Sequence, residues 1–524
     1  MKKNRLWNIV LVLSFVLMLA GETLAVLAII RLDMLPDVYL LAVIGLFAVW
    51  SLSVGLMLFV KGKKSGKGRR IAACVLALLM VFGCVAITTV ATDVMKTLEA
   101  TSQEVEEVAT REVYILKDNP VENIADTVGY TYGYVKNYDE GCTQQALDEI
   151  FLRTDGLVST AGYTDMFTMV HALLDNRIDA MILNGGFVSI LEDTEELMDF
   201  SDRTKILAQI EVDETKEMEG NVTDPIYMEQ TPEETTDTTE PAEALPLDTP
   251  VDYSSLKPFI VYVSGSDSYN TKIVKNGRSD VNILAVINPM TKQVLLINTP
   301  RDYYVQNTAG GGARDKLTHC GIYGTSCSMK TLGILYDASF EYFVRINFTG
   351  FKKLIDALGG ITVYSDYAFT AITRTPIQKG ENHLDGQQAL DFARERYTLK
   401  GGDNERGKHQ MQVITAVIEK ATTGTTIISN YSDIMASVEG MFSMNVPTEL
   451  ISNLMKMQLS DMARWNVISY SATGKGSSEV CYSAPGMKLS VIKPSQSSVS
   501  KASRLIDMVY AGEILTEEVI NSIS

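Results

Sequence analysis

Three long apolar runs dominate the first ninety residues. Leu6–Ile30 is interrupted only by Gly21-Glu22-Thr23, and Val38–Val60 and Ile71–Val90 carry no charge. A helix needs about 20 apolar residues to cross the bilayer core with its backbone paired internally, and each run has that length. The pattern predicts three membrane spans within residues 1–93, with Glu22 read as an interfacial carboxylate. From Met95 to about Glu112 a polar, acidic helix is predicted, after which the period changes. Val113–Leu116, Thr127–Tyr132 and Ile178–Leu183 read as strands and Thr143–Leu152 and Met166–Leu174 as helices, which makes 94–210 a small accessory α/β domain.

The pattern resumes at Pro258. Phe259–Val263, Val281–Ile287 and Gln293–Asn298 read as strands, the last two joined as a hairpin by the turn chemistry of Asn288-Pro289. Helices are predicted at Thr349–Leu358, with Thr349 as N-cap and Gly359 past its end, and at Asp385–Ala393, capped by Asp385. A longer helix, capped by Asp403, runs from Asn404 to about Lys420 with Met411, Ile414, Val417 and Ile418 on its apolar face. The fold class expected is α/β: a three-helix membrane region, the accessory α/β domain, and a mixed central sheet flanked by helices over 251–524. Ala172–Leu183 is similar to the helix–strand step of extracellular solute-binding proteins, but its residues favour a packing or spacing role over ligand binding.

Charge orients this plan. Residues 1–93 hold ten Lys/Arg against four acids, net +6, so the rest of this net −18 chain carries −24. Six cations crowd Lys61–Arg70 while Arg31–Asp37 is nearly neutral, which by the positive-inside rule puts 61–70 in the cytoplasm and everything after Asp93 outside the cell. The expected location is thus a cell membrane, multi-pass, with both α/β domains exterior. Glu211–Pro250 has thirteen acids against Lys216 alone and little apolar surface, so 211–250 reads as a disordered acidic linker. A pI near 4.8 excludes nucleic-acid binding by bulk electrostatics. Four exterior cysteines in over four hundred residues make no disulfide framework, and the sequence leaves open whether Cys320 and Cys327 pair. Four histidines and no CxxC spacing argue against zinc.

The candidate chemistry lies in the last domain. Arg301 follows a strand, and Arg394 and Arg396 alternate, so an extended backbone would put both guanidinium groups on one face. Asp403, Arg406 and Gln410 share a face at a helix N-terminal half, and Lys316 adds a point charge. A helix N-terminus beside several arginine forks suits a di- or polyphosphate. Asp267 and Asp280, each near a strand end, are the carboxylates available to a Mg²⁺–pyrophosphate. Taken singly, each of these arginines is as readily a surface ion pair.

The strings Arg278–Leu284, Asn298-Thr-Pro-Arg-Asp302, Asp315-Lys-Leu-Thr-His319, Ile346–Phe351, Leu358–Ile361, Leu384–Leu390, Ala393-Arg-Glu-Arg-Tyr397 and Asp403–Gln410 resemble the LytR-CpsA-Psr family in order and spacing. The three-span head with an accessory domain looks like the family's capsule-linked branch. The resemblance implies an exterior phosphotransferase in a Gram-positive-type envelope. It would move a glycopolymer (capsular polysaccharide, teichoic acid or similar) from a polyprenyl-pyrophosphate carrier to peptidoglycan. It further implies Mg²⁺ on Asp267 and Asp280, phosphates on Arg301, Lys316, Arg394, Arg396, Arg406 and Gln410, and Asp403 beside the acceptor hydroxyl. Val281, Ile283, Ile346, Phe348, Phe351, Leu354 and Ile355 are candidates for a lipid tunnel, or equally for ordinary core. A non-catalytic envelope sensor and a carrier pyrophosphatase are the competing readings.

Overall fold

The structure, a computed structural model, describes residues 2–60, 67–102, 109–136, 140–213, 256–266, 277–396, 398–399, 403–423, 434, 436–438 and 440–523. Helices Lys2–Leu32, Asp37–Phe59 and Lys67–Ser102 form the N-terminal bundle, and each contains a segment long and apolar enough to cross a membrane. Glu22 does not face outward from the bundle. It is buried between helices, where it accepts a hydrogen bond from Ser51. The polar helix expected from Met95 is the continuation of the third apolar helix, since no proline interrupts the stretch. Its described part runs to Ser102, and Glu112 belongs to the strand Ala109–Leu116.

A five-stranded sheet follows, in the order Ser159–Tyr163, Thr131–Val135, Ala180–Leu183, Ala109–Leu116, Thr204–Val212. The second predicted strand starts later than expected, at Thr131, because Gly129 at φ 89° turns the chain just before it. Helices Glu140–Arg153 and Met166–Leu174 cover the sheet, and Asp165 caps the latter by accepting from the Thr168 amide.

The second sheet has six strands in the order Phe442–Met444, Tyr342–Asn347, Phe259–Ser266, Ser279–Asn288, Gln293–Asn298, Asn466–Ser471. It is mixed: Tyr342–Asn347 and Asn466–Ser471 each run parallel to one neighbour, and the other pairings are antiparallel. The expected hairpin is present. The Asn288 side chain accepts from the amides of Met290 and Thr291, and Lys292 takes a left-handed conformation. One face packs on helices Thr325–Tyr336 and Gln496–Tyr510, the other on Asp403–Thr422. Burying both faces explains why the central strands are near-continuously apolar rather than alternating.

Where the strand Tyr342–Asn347 ends, Asn347 caps the helix Phe348–Ala357 by accepting from the Gly350 amide. The cap is therefore Asn347 and not Thr349, because the extended residue leaving the strand is already in cap geometry. Gly359 takes φ 74° just past the helix, as its position implied. The helix Thr448–Asp461 seats the six-stranded unit on the apolar bundle. Ile451 and Met455 pack against Met34 and Val94, and Lys456 bridges to Asp33 at 2.6 Å.

Candidate functional site

Six separated segments meet on the side of the six-stranded sheet facing helix Asp403–Thr422. They enclose a cavity of about 260 Å³. Arg301, Arg394, Arg396, Arg406, Gln410 and Asp280 form its polar end, and Val281, Ile346, Phe348, Phe351, Val413 and Ile414 its apolar wall.

Arg301 stands in the turn after the strand Gln293–Asn298. There the Thr299 amide donates to the Asn282 carbonyl, and the Thr299 hydroxyl lies 2.8 Å from the Tyr336 hydroxyl. Arg301 Nη1 donates to Asp280 Oδ1 at 2.9 Å, and Thr318 Oγ1 donates to the same oxygen at 3.0 Å. Burial pushes the Asp280 carboxyl up, but the Arg301 and Arg278 guanidinium groups outweigh it and hold it below the ordinary carboxylate value.

Arg394 and Arg396 reach the cavity without a strand. Arg394 is the last residue of helix Gly386–Arg394, whose start is held by a reciprocal Asp385–Gln388 capping box. Its guanidinium lies 4.3 Å from the centroid of the Phe348 ring, which holds the cation at the junction of polar and apolar walls. Between the two arginines, Glu395 is extended and buried, and its carboxylate accepts from the amides of Ile372 and Thr398. That inward anchor turns both neighbours toward the cavity, which is the physical role of the alternation.

Arg406 and Gln410 come from helix Asp403–Thr422. His409 ties this helix to the one bearing Arg394. Its ring stacks on Phe392 at 4.0 Å, and Nδ1 lies 3.1 Å from the Phe392 carbonyl. Burial keeps His409 below its ordinary value, so the stacked ring is neutral at neutral pH. The same helix approaches the end of the strand leading to Arg301 closely at Gly407. A Cβ there would fall 2.2 Å from the Asn298 amide nitrogen.

The structure thus brings together Asp280, Arg301, Arg394, Arg396, Arg406 and Gln410. Lys316 is not on the cavity lining. Its ammonium pairs with Asp302 at 3.2 Å, one residue from Arg301. Asp403 is the first described residue of its helix, so its expected capping role falls outside the described residues together with its side chain, and Asp267 lies outside them altogether. Of the expected tunnel residues, Val281, Ile346, Phe348 and Phe351 line the cavity. Ile283 and Ile355 are fully buried core and Leu354 faces elsewhere, while Val263, Leu390, Val413 and Ile414 take their place. Cys320 and Cys327 are buried free thiols on two short helices separated by the turn Gly321–Tyr323, rather than within one helix. Glu395 and His409 were not singled out in the sequence. The one available signal was an acid between two arginines and an aromatic near in helical register.

Residues 225–496, just over half of the chain, match the LytR_cpsA_psr family. The chain belongs to that family. An Enterococcus faecalis protein named polyisoprenyl-teichoic acid–peptidoglycan teichoic acid transferase TagU is 35% identical over 207 residues, covering 39% of this chain and 66% of that protein. A Bacillus licheniformis protein of the same name is 32% identical over 232 residues, 44% of this chain and 72% of its own length. Among solved structures, B. subtilis TagV aligns with 24% identity over 49% of this chain and 99% of its own, at a TM-score of 0.41. The chain spans just under two thirds of the length of the first of these relatives.

Proposed function

We propose that this chain is a membrane-anchored phosphotransferase acting outside the cell, which attaches a glycopolymer carried on polyprenyl pyrophosphate to peptidoglycan. The observation that carries the reading is the junction of four arginines with an apolar cavity, since one ligand with a multiply charged head and an oily tail satisfies both ends. The relatives' name, teichoic acid transferase, points to the same reaction class. Capsular polysaccharide, teichoic acid or a similar polymer is the substrate class. The basic Lys61–Arg70 segment orients the three apolar helices so that the site faces outward, and the Thr448–Asp461 seat holds it near the bilayer that supplies the lipid.

In the reaction a hydroxyl of the peptidoglycan acceptor attacks the phosphorus bonded to the glycopolymer. A new O–P bond forms, the bridging P–O bond breaks, polyprenyl phosphate leaves, and the hydroxyl proton is released. Asp403 is the residue proposed to help that proton leave. Negative charge redistributes over phosphate oxygens, so guanidinium donors held in place before the reaction lower the barrier without reorganising. Phe348 and Phe351 exclude water from the lipid side of the leaving group.

Mg²⁺ belongs to this proposal. Among the described residues no group of three His, Cys, Asp or Glu could hold a metal by itself. Asp280 fits as a single carboxylate ligand, because its hydrogen bonds from Arg301 and Thr318 among the described residues both fall on Oδ1 rather than Oδ2. Phosphate oxygens and water would complete the shell. Bound there, the ion would neutralise charge on the pyrophosphate.

The test is the full chain in lipid nanodiscs, given a polyprenyl-pyrophosphate-linked glycan, Mg²⁺ and peptidoglycan fragments. A phosphodiester-linked product is expected. Tight binding without turnover would instead make the chain a sensor, and phosphate release without ligation a hydrolase.

A further inference from the structure

The two chain segments that flank Asp280 are both covered by the five-stranded domain. The first is the strand start Gly277–Asp280. Arg278 Nη2 donates to the carboxylate of Asp193, the C-cap of helix Val188–Glu192, at 2.8 Å, and to the carbonyl of Ser189 in its first turn. The Arg278 side chain is only 11% exposed, so this is no loose surface pair. From the opposite side the fully buried Arg345 donates to the Gly277 carbonyl at 2.9 Å. The second segment is Leu317–Tyr323. Its Thr318 donates to Asp280, and its Gly321 passes so close to Ser279 that a Cβ would fall 2.5 Å from the serine hydroxyl. The Tyr323 ring meets Phe187 edge-on at 6.1 Å. Phe187, Ile190 and Leu191 of the five-stranded unit share one continuous core with Ile322, Leu489 and Val491.

We propose that the five-stranded domain is a positioning unit for the phosphate site. Ser189 and Asp193 hold Arg278, and through the segment 277–280 they set Asp280 against Arg301 and Thr318. Arg278 does not line the cavity, so it and Asp193 are positioning residues and not catalytic ones. A domain whose only task was spacing would not need a charged clasp two residues from the site carboxylate. Asp193 is 39% exposed, so its exchange for Asn empties no core, and a melting midpoint measured beside the kinetics separates positioning from folding. The inference rests on the phosphotransferase reading for its substrate, though the clasp itself is independent of it.

The experiment uses the full chain in nanodiscs and three variants, Asp193→Asn, Asp193→Glu and Arg278→Lys. In the transfer assay Asp193→Asn is expected to lower kcat/KM for the lipid-linked donor about tenfold, with the acceptor KM unchanged, because misplacement is confined to the donor phosphates. Asp193→Glu restores most of the loss. Arg278→Lys keeps the charge but loses the fork, and falls between the two. In parallel, farnesyl pyrophosphate with Mg²⁺ is titrated, and its affinity is expected to drop about fivefold in Asp193→Asn. If wild type binds farnesyl pyrophosphate but transfers nothing, the function reading fails while the titration still decides the clasp. An unchanged affinity in Asp193→Asn overturns the proposal. So does a loss that moves donor and acceptor KM together with the melting midpoint and is not rescued by glutamate.

Discussion

Two buried ionic clusters stand side by side in this domain and are put to opposite uses. The first, Asp280 with Arg301 and the arginines beyond, opens on a cavity, and its donors outnumber its acceptors. The second, Asp315 with His319 and Ser483, is sealed. Asp315 Oδ1 lies 2.7 Å from His319 Nδ1, and the Ser483 hydroxyl donates to the same carboxylate at 3.0 Å. Asp315 and His319 are fully buried and Ser483 nearly so. Lys316, between the clusters in sequence, turns to Asp302, which it shares with Arg301, and stays off the cavity lining. The lesson is that burial and charge do not mark a binding site by themselves. An excess of one sign facing a hollow does, whereas a carboxylate satisfied by hydrogen bonds without a hollow is architecture.

The sharpest way to break this comparison is to remove one member of each cluster. Arg301→Ala and Arg394→Ala are each expected to lower transfer kcat/KM by about 10²–10³-fold, as losing a preorganised charge donor does. Circular dichroism and the melting midpoint should show the fold intact. Full transfer in either variant would count against the cavity as the site. Asp315→Ala should do the reverse: about 3 kcal/mol of stability lost in urea unfolding, from leaving His319 and Ser483 unsatisfied, with transfer per folded molecule little changed.

The two ends of the cavity can be separated in the same spirit. Phe351→Ala is expected to weaken binding of a long polyprenyl pyrophosphate by about tenfold, from lost apolar burial, while inorganic pyrophosphate binds as before. Equal losses for both ligands would contradict an apolar lipid wall.

The smallest effect is in acid. Burial holds His319 below its ordinary value, with Arg278 and Lys316 adding to the shift against the pull of Asp315, and among the described residues nothing accepts a hydrogen bond from a protonated Nε2. The unfolded chain therefore binds that proton more readily. The stability tied to neutral His319 is complete above about pH 6.5 and is lost as pH falls below it. Asp315 is shifted down as well: burial raises it, but the His319 hydrogen bond and its other partners prevail, so its share is lost only below about pH 4. The melting midpoint should drift down from pH 7 to 5, and His319→Gln should flatten that drift. An unaltered slope in His319→Gln would place the acid sensitivity elsewhere.

Much of the fold was legible in the chain. The apolar runs, the strand Gln293–Asn298, the helix Met166–Leu174 and the capped helix at Asp385 all follow from local periodicity and caps. The errors are local too. The cap at Asn347 was missed because strand and helix abut without a loop, and the late strand at Thr131 because Gly129 turns the chain first. The site was legible as a set of residue types, less so as a geometry. Arg394 and Arg396 do converge, but through a helix end and the inward Glu395 rather than along a strand.

The sequence by itself determined which segments are apolar enough to enter a membrane, which alternate as strands and helices, and which cations could serve a phosphate. Those properties depend on neighbours a few residues apart, so the order of side chains is sufficient. Tertiary packing alone decided which of the cations share a hollow. Arg345, inside the strand Tyr342–Asn347 of the same domain, is fully buried on the Gly277 carbonyl and the Thr325 hydroxyl. Arg301 meets Asp280 at the cavity instead. Arg301 follows a proline in a turn and Arg345 sits among apolar strand residues, but that local contrast does not tell which of them reaches the hollow. The difference arises from partners tens of residues away, and only the closed chain brings those within hydrogen-bonding reach.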